Sequence, residues 1–172
     1  LNKHIGGVIL FSRNIISQKQ VRVLCDEIRS VNSKLLIAVD QEGGRIQRLR
    51  EGFTSLPSMQ KLALFIEESK NNDITFAADV GWLMASEVLA SGLDMSFAPV
   101  LDLDWNRSSV IGDRSFGSKP EQVIQIANSF ISGMNEAGMK GIGKHFPGHG
   151  GIHSDSHLVY SEDNRVFEDI ER

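Results

Sequence analysis

Four of the five histidines in the chain lie close together, as His145, His149, His153 and His157. On a helix, this four-residue spacing would place the imidazoles on one face, where they could bind a metal ion. The same stretch, KHFPGHGGIHSDSH, also contains Pro147 and three glycines, which disfavour a helix. The sequence therefore predicts a loop, in which the spacing alone does not indicate a metal site. Three interpretations remain open at this point: a loop that transfers protons, a glycine-rich turn with incidental histidines, and, less favoured, a metal site.

Within this loop, Asp155 and His157 have the residue types needed for proton transfer. A carboxylate two residues from an imidazole can accept a hydrogen bond from it, fix its tautomer and raise its basicity. On a glycine-rich loop the pair could swing over a substrate. Glycoside hydrolysis needs such a group, because the leaving oxygen must receive a proton.

Three further clusters offer polar side chains for binding. Asp40 and Arg48, in DQEGGRIQR, could bind neighbouring hydroxyls of a polyol, or they could form a salt-bridged turn. Arg114, in GDRSF, presents a planar fork of donors to hydroxyls or to a carboxylate, with a surface turn as the alternative. Lys144 and His145 end a predicted strand, where they are either ligand-binding groups or a buried, satisfied pair.

The composition is that of an ordinary globular protein. Of 172 residues, 41% are hydrophobic and 23% are charged, and the formal net charge is −4. The 18 basic residues do not cluster, so no nucleic-acid partner is predicted. No apolar run approaches the ~20 residues of a membrane span. The lone cysteine, Cys25, falls in a helical pattern and is predicted to be a small buried side chain.

Predicted strands and helices alternate along the chain. The strands are short apolar runs at 6–11, 35–40, 95–101 and 140–145. The helices are predicted at 18–31 with a capping box at Ser17 and Gln20, at 73–91, from a capping box at Ser118 and Glu121 to Gly138, and from Ser161 onward. The segment 41–72, with several glycines and Pro57, is predicted to be long and irregular.

This alternation predicts a parallel sheet with right-handed crossovers, either an open doubly wound sheet or a β/α barrel. The barrel is favoured because several strands end in polar residues, namely Asp40, Asp102, Asp104, Lys144 and His145. An open sheet would concentrate its site at one switch point, and no glycine-rich nucleotide motif follows any strand. Only four βα units are visible, and a barrel needs eight. Since the chain starts without methionine and stops within a predicted helix, we expect a piece of a larger domain, with a half-barrel-sized open fold as the alternative.

The motifs VDQEGGRIQR, SFAPVLDLD, IGDRSF and KHFPGHG…DSH, in this order and spacing, closely resemble the family 3 glycoside hydrolases, and among them the bacterial β-N-acetylglucosaminidases. The resemblance covers essentially the whole chain. It implies a (β/α)8 barrel, with residues 1–172 as part of a single N-terminal-type barrel domain. The matching region corresponds to strands two to five of eight, so the first strand and the last three would be absent.

The resemblance also implies an activity, which is removal of terminal N-acetylglucosamine from cell-wall fragments in cytoplasmic peptidoglycan recycling. The anomeric configuration of the sugar would be retained, because the reaction would pass through a covalent glycosyl-enzyme. By position, the sugar-binding residues would be Asp40, Arg48, Arg114, Lys144 and His145, and the general acid/base would be His157 partnered by Asp155. The nucleophile of the family is an aspartate on a later strand, and no aspartate of this sequence matches its motif.

Three rival functions stay open. A metal-dependent hydrolase on the same barrel would use His145, His149 or His157 as ligands. A non-catalytic sugar-binding module would bind glycans without turnover. A family 3 enzyme with another glycosidase or a phosphorylase specificity is the third. We predict a small carbohydrate ligand and neither a cofactor nor a metal ion, and the sequence does not indicate an oligomeric state.

Overall fold

The structure is a computed structural model that describes residues 4–153, 155, 158–160, 162, 165 and 166. Its strands are β1 (Gly7–Leu10), β2 (Leu36–Val39), β3 (Gln41–Gly43), β4 (Ile46–Gln47) and β5 (Met95–Ser96). Its helices are α1 (Gln18–Val31), α2 (Met59–Glu68), α3 (Thr75–Ala90) and α4 (Pro120–Glu136), with short 3-10 helices at Ser12–Asn14 and Gly112–Arg114. In the described part of the chain, no helix is long and apolar enough to cross a membrane.

Three strands form a parallel sheet in the order β1, β2, β5. Beyond β5, Val100 makes a parallel bridge to Lys144, and the Ile142 amide donates to the Ala98 carbonyl at 2.7 Å. Strands that follow each other in the sequence are thus neighbours in space. Among the described strands, the order does not reverse as it would in a doubly wound sheet. Their carboxyl ends all lie at one edge, as in a β/α barrel.

Helix α1 shows how the local sequence builds the core. The Ser17 hydroxyl accepts from the Gln20 amide, as predicted, but the Gln20 side chain accepts from the Ile16 amide rather than from Ser17, so the capping box is only half formed. The helix buries Val21 and Cys25 completely. Burial raises the pKa of the Cys25 thiol, as expected for a structural cysteine.

Helices α3 and α4 pack closely through glycines. A Cβ atom added to Gly81 would overlap the carbonyl oxygen of Phe130, and one added to Gly133 would overlap that of Ala78. The two backbones approach this closely only because neither glycine carries a side chain. Positive φ angles at Gly92 (87°) and Gly138 (97°) follow the ends of these helices, where the sequence predicts their termination.

The prediction of an irregular segment over 41–72 is wrong, because it contains the antiparallel pair β3–β4 and helix α2. The buried Gln41 side chain provides hydrogen-bond partners for the backbone just after β4. Its Oε1 accepts from the Leu49 amide and its Nε2 donates to the Leu49 carbonyl, at 3.0 and 3.1 Å. Helix α2 is capped by Ser58, whose hydroxyl accepts from the Lys61 amide.

The start of α4 also differs from the prediction. Instead of a capping box at Ser118 and Glu121, the helix begins at Pro120, and its N-cap, Lys119, makes no side-chain capping bond. Proline is favoured in the first turn because its missing N–H would have no helical partner there.

The predicted strands 95–101 and 140–145 are shorter than expected. Regular pairing is limited to β5 and the single bridge between Val100 and Lys144. The stretch 145–153 is a loop with turns, as its proline and glycines predict. The helix predicted from Ser161 falls largely outside the described residues.

Candidate active site

A cluster of charged side chains lies at the carboxyl edge of the parallel strands. Asp40 directly follows β2, Glu42 belongs to β3, and Lys144 forms the parallel bridge to Val100 beyond β5. The Lys144 ammonium lies 3.0 Å from Asp40 Oδ1 and 2.5 Å from Glu42 Oε1. One cation thus joins carboxylates from two neighbouring elements.

Arg114, the last residue of a 3-10 helix, enters the same cluster. Its Nε and Nη2 each donate to one carboxylate oxygen of Glu42 at 2.8 Å, a bidentate pair. Only 9% of the Arg114 side chain and 1% of the Glu42 side chain are exposed. Burial alone would lower the pKa of Arg114, but the hydrogen bonds and charge of Glu42 raise it above its ordinary value. The guanidinium is therefore charged and fixed in orientation.

Arg48 is held less completely. Its Nη2 lies 3.7 Å from Asp40 Oδ2. Its Nε is buried and has no hydrogen-bond partner within the described part of the protein. A buried donor without a partner costs about 1–3 kcal/mol. An oxygen atom of a ligand or of water that accepts from this nitrogen would therefore be stabilising.

His145 is held by Asp102, which lies in the segment after β5. The His145 Nδ1 lies 2.5 Å from Asp102 Oδ2, and the His145 amide donates to the same oxygen at 3.1 Å. The His149 amide donates to Asp102 Oδ1 at 2.5 Å. Burial alone would raise the pKa of Asp102, but these hydrogen bonds and the nearby His145 lower it below its ordinary value. Asp102 is therefore an ionised acceptor at neutral pH.

The cluster is balanced in charge. It contains three carboxylates and three cations, which are Asp40, Glu42, Asp102, Arg48, Arg114 and Lys144. The formal charges of these six side chains cancel. A surface with many charged donors and acceptors but no net charge is suited to a neutral polyhydroxyl ligand. A phosphate would require excess positive charge.

Arg45 stabilises the segment that precedes Arg114. Its Nη2 donates to the carbonyls of Ser109 and Val110 at 3.2 and 2.6 Å, and its Nε donates to Asp113 at 3.0 Å. The hairpin β3–β4 and the loop before Arg114 are thereby joined. These bonds hold the segment before Arg114 against the hairpin.

The structure brings together all five residues that the sequence predicts for sugar binding, which are Asp40, Arg48, Arg114, Lys144 and His145. Of the predicted proton-transfer pair, the structure describes Asp155 but not His157. The carbonyl of Asp155 accepts from the amides of Leu158 and Val159 at 3.0 Å each. His157 lies outside the described residues.

Two residues of the cluster had no predicted role. Glu42 lies in a stretch interpreted as a turn, although its position just after a strand end could have indicated it. Asp102 is predicted to lie at a strand end, but the sequence does not indicate its contact with His145. In the described residues, no group of three or more His, Cys, Asp or Glu side chains is arranged to hold a metal ion.

A cleft of about 660 Å³ lies beside the cluster, next to Lys144 and His145. It is mostly apolar, with Leu101, Trp105 and Phe146 among its lining residues. The Arg165 guanidinium lies 4.7 Å from the centre of the Trp105 ring, a cation–π contact. Asp102, Lys144 and His145 of the cluster line this cleft, whereas Asp40, Arg48 and Arg114 do not.

Sequential parallel strands joined by helices, with polar side chains at their carboxyl ends, define a protein of the β/α-barrel class. The glycosyl hydrolase family 3 N terminal domain matches the chain over residues 1–172, so the chain belongs to this family. The chain is 54% identical over 168 residues to the "Beta-hexosaminidase" of Tolumonas auensis. This match covers 97% of the chain and 49% of that protein, so the chain spans about half the length of the curated relatives it matches.

Solved structures show the same similarity. The crystal structure of NagZ from Neisseria gonorrhoeae in complex with N-trifluoroacetyl-D-glucosamine is 46% identical, with a TM-score of 0.92, over 99% of this chain and 51% of that one. The structure of the same enzyme in complex with zinc ion is 45% identical, with a TM-score of 0.91, over 99% of this chain and 51% of that one. These matches confirm the predicted fold class.

Proposed function

We propose that this chain provides the sugar-binding cluster of a retaining exo-β-N-acetylglucosaminidase. The observation that carries the proposal is the charge-balanced cluster at the carboxyl edge of the strands. Sugar hydroxyls are neutral and act as both donors and acceptors, so they are well matched by fixed carboxylates and cations together. Arg48 adds a buried donor without a partner among the described atoms.

Similar proteins support the choice of sugar. Relatives that are 53–54% identical are named "Beta-hexosaminidase". NagZ from Neisseria gonorrhoeae binds N-trifluoroacetyl-D-glucosamine, an analogue of N-acetylglucosamine. We therefore propose terminal N-acetylglucosamine of peptidoglycan-derived muropeptides as the substrate. Cytoplasmic peptidoglycan recycling as the setting rests on the sequence resemblance alone.

The sugar would be bound by the five clustered residues, which are Asp40, Arg48, Arg114, Lys144 and His145. His157 would protonate the leaving oxygen, and Asp155 would orient and tune its imidazole. A retaining mechanism also needs a carboxylate nucleophile that forms the glycosyl-enzyme. We assign this role to no aspartate of the 172 residues.

The test compares two leaving groups in the protein that carries this chain. A sugar alkoxide is strongly basic and must be protonated as the bond breaks, whereas a nitrophenolate can leave unaided. His157→Ala should therefore slow glycosylation from the natural disaccharide by ~10²–10⁴-fold, and much less from the nitrophenyl glycoside. Pre-steady-state glycosylation rates on both substrates measure this.

His153→Ala is the matched control, because it removes an exposed imidazole from the same loop. It should leave both rates close to those of the parent protein. If His157→Ala slows both substrates equally, or neither, His157 is not the general acid. Hydrolysis that a chelator abolishes would favour the metal-dependent alternative, and glycan binding without turnover would favour a binding module.

A further inference from the structure

Asp102 uses both of its carboxylate oxygens on two different parts of the chain. Oδ2 accepts from the amide and the Nδ1 of His145, and Oδ1 accepts from the amide of His149. Its side chain is only 1% exposed, so these donors rather than water satisfy it. A single buried carboxylate therefore holds both ends of the turn 145–149.

The first contact determines which nitrogen of His145 carries the proton. An ionised carboxylate only accepts hydrogen bonds, so Nδ1 must donate to Asp102. On the other side of the ring, His145 Nε2 lies 3.4 Å from the Arg114 Nη2. A guanidinium only donates, so Nε2 must be the acceptor. Both neighbours favour the same neutral tautomer, with a lone pair on Nε2 facing the cluster.

The second contact lies at the other end of the turn, on the His149 amide. Between the two amides bound by Asp102, the Phe146 side chain is fully exposed. Gly148 has a φ of 134° and open space where a Cβ would lie. The next part of the chain leads to Asp155. The bond from the His149 amide to Asp102 therefore holds the far end of this turn, while the His145 amide holds its near end.

We propose that Asp102 is a positioning residue, which holds His145 in the tautomer whose Nε2 accepts from Arg114, and so fixes both side chains at the proposed sugar site. The inference rests on the proposed function. A merely structural carboxylate would stabilise the fold without setting the tautomer of His145.

The first experiment reads the tautomer directly by nitrogen-15 NMR of histidine side chains, in the protein that carries this chain. In the parent, the His145 signals should show a protonated Nδ1 and an unprotonated Nε2. Asp102→Asn weakens the acceptor and should shift the ring toward the other tautomer or toward a mixture. Asp104→Asn is the matched control, since Asp104 follows the same strand and, among the described residues, its carboxylate accepts from the Asn106 amide and not from His145. It should leave the His145 signals unchanged.

The second experiment tests the role of Asp102 in sugar binding. Asp102→Asn should lower kcat/KM by about 10–100-fold, by analogy with the carboxylates that orient metal-ligating histidines. The loss should appear in KM through His145 with every substrate. It should appear less in kcat, because His145 is assigned to sugar binding rather than to proton transfer. Asp104→Asn should match the parent in both constants.

The outcomes distinguish this inference from the proposed function. A parent spectrum with a protonated Nε2 on His145 would overturn the inference, and this measurement needs neither a variant nor turnover. Kinetics of Asp102→Asn equal to those of Asp104→Asn would overturn it as well. An inactive parent protein would overturn the proposed function instead, while the tautomer would still decide whether Asp102 positions His145.

Discussion

At the scale of single residues, the site depends on Glu42, a carboxylate with no predicted role in sugar binding. Glu42 accepts two hydrogen bonds from Arg114 and lies 2.5 Å from the Lys144 ammonium. Both cations are proposed to bind the sugar. Their positions are therefore set by a residue that is itself almost completely buried.

We expect Glu42→Gln to lower the free energy of unfolding by about 3–5 kcal/mol, because the neutral amide leaves two buried cations without their shared counter-charge. Equilibrium unfolding in urea measures this change. Glu51→Gln, at an exposed position, is the matched control and should stay within about 0.5 kcal/mol of the parent. Equal stability of the two variants would show that Glu42 is not the anchor of the cluster.

The sequence predicted which residues would meet, but not what holds them. Asp40, Lys144 and His145 were expected at one edge because the carboxyl ends of barrel strands converge. The partner of Arg114 was not predicted, since Glu42 lies 72 residues away along the chain. A pairing at that separation leaves no local pattern. His157, the proposed acid, remains a prediction.

At the scale of elements, the contact between α3 and α4 depends on the absence of side chains. Gly133→Ala should destabilise the protein by about 1–3 kcal/mol, because the new methyl group would overlap the Ala78 carbonyl and force the helices apart. The intrinsic preference of helices for alanine, about 1 kcal/mol, would offset part of this loss.

Thermal or urea unfolding checks this prediction. Ser132→Ala, on the exposed face of the same helix, is its control and should change stability by less than about 0.5 kcal/mol. A Gly133→Ala protein that is more stable than the parent would mean that the helices are further apart than described.

The long helices were predictable because their apolar periodicity extends over several turns. Helix α2 and the β3–β4 pair were missed because glycines and Pro57 surround them and suggested irregular structure. In fact, side chains supply hydrogen bonds that regular backbone pairing would otherwise provide. The Gln47 side chain donates to the carbonyls of Leu49 and Thr54 and accepts from the Leu56 amide. Such bonds depend on the fold and cannot be read from residue types alone.

At the scale of the whole molecule, stability should fall in acid partly through Asp102. The pKa of this carboxyl is lower in the folded protein than its ordinary value of 3.8. Its contribution is therefore complete above that value and is lost as the pH falls through the lower, folded pKa. The window lies below about pH 4, where protonation must break the contacts with His145 and His149.

The free energy of unfolding should consequently decline less steeply with falling pH in Asp102→Asn than in the parent over about pH 4 to 2. Urea unfolding at a series of pH values measures both slopes. Asp104→Asn serves as the control for loss of a carboxylate at the same strand end. Identical slopes in the parent and in Asp102→Asn would contradict the described contacts.

Cys25 gives the molecule a built-in chemical reporter. It is the sole thiol of the chain, it is completely buried in α1, and its raised pKa keeps the reactive thiolate scarce. A thiol reagent can therefore modify it only in those molecules whose first helix has briefly moved away from the rest. The labelling rate, followed with increasing reagent concentration, would measure how often that helix opens and how quickly it closes again.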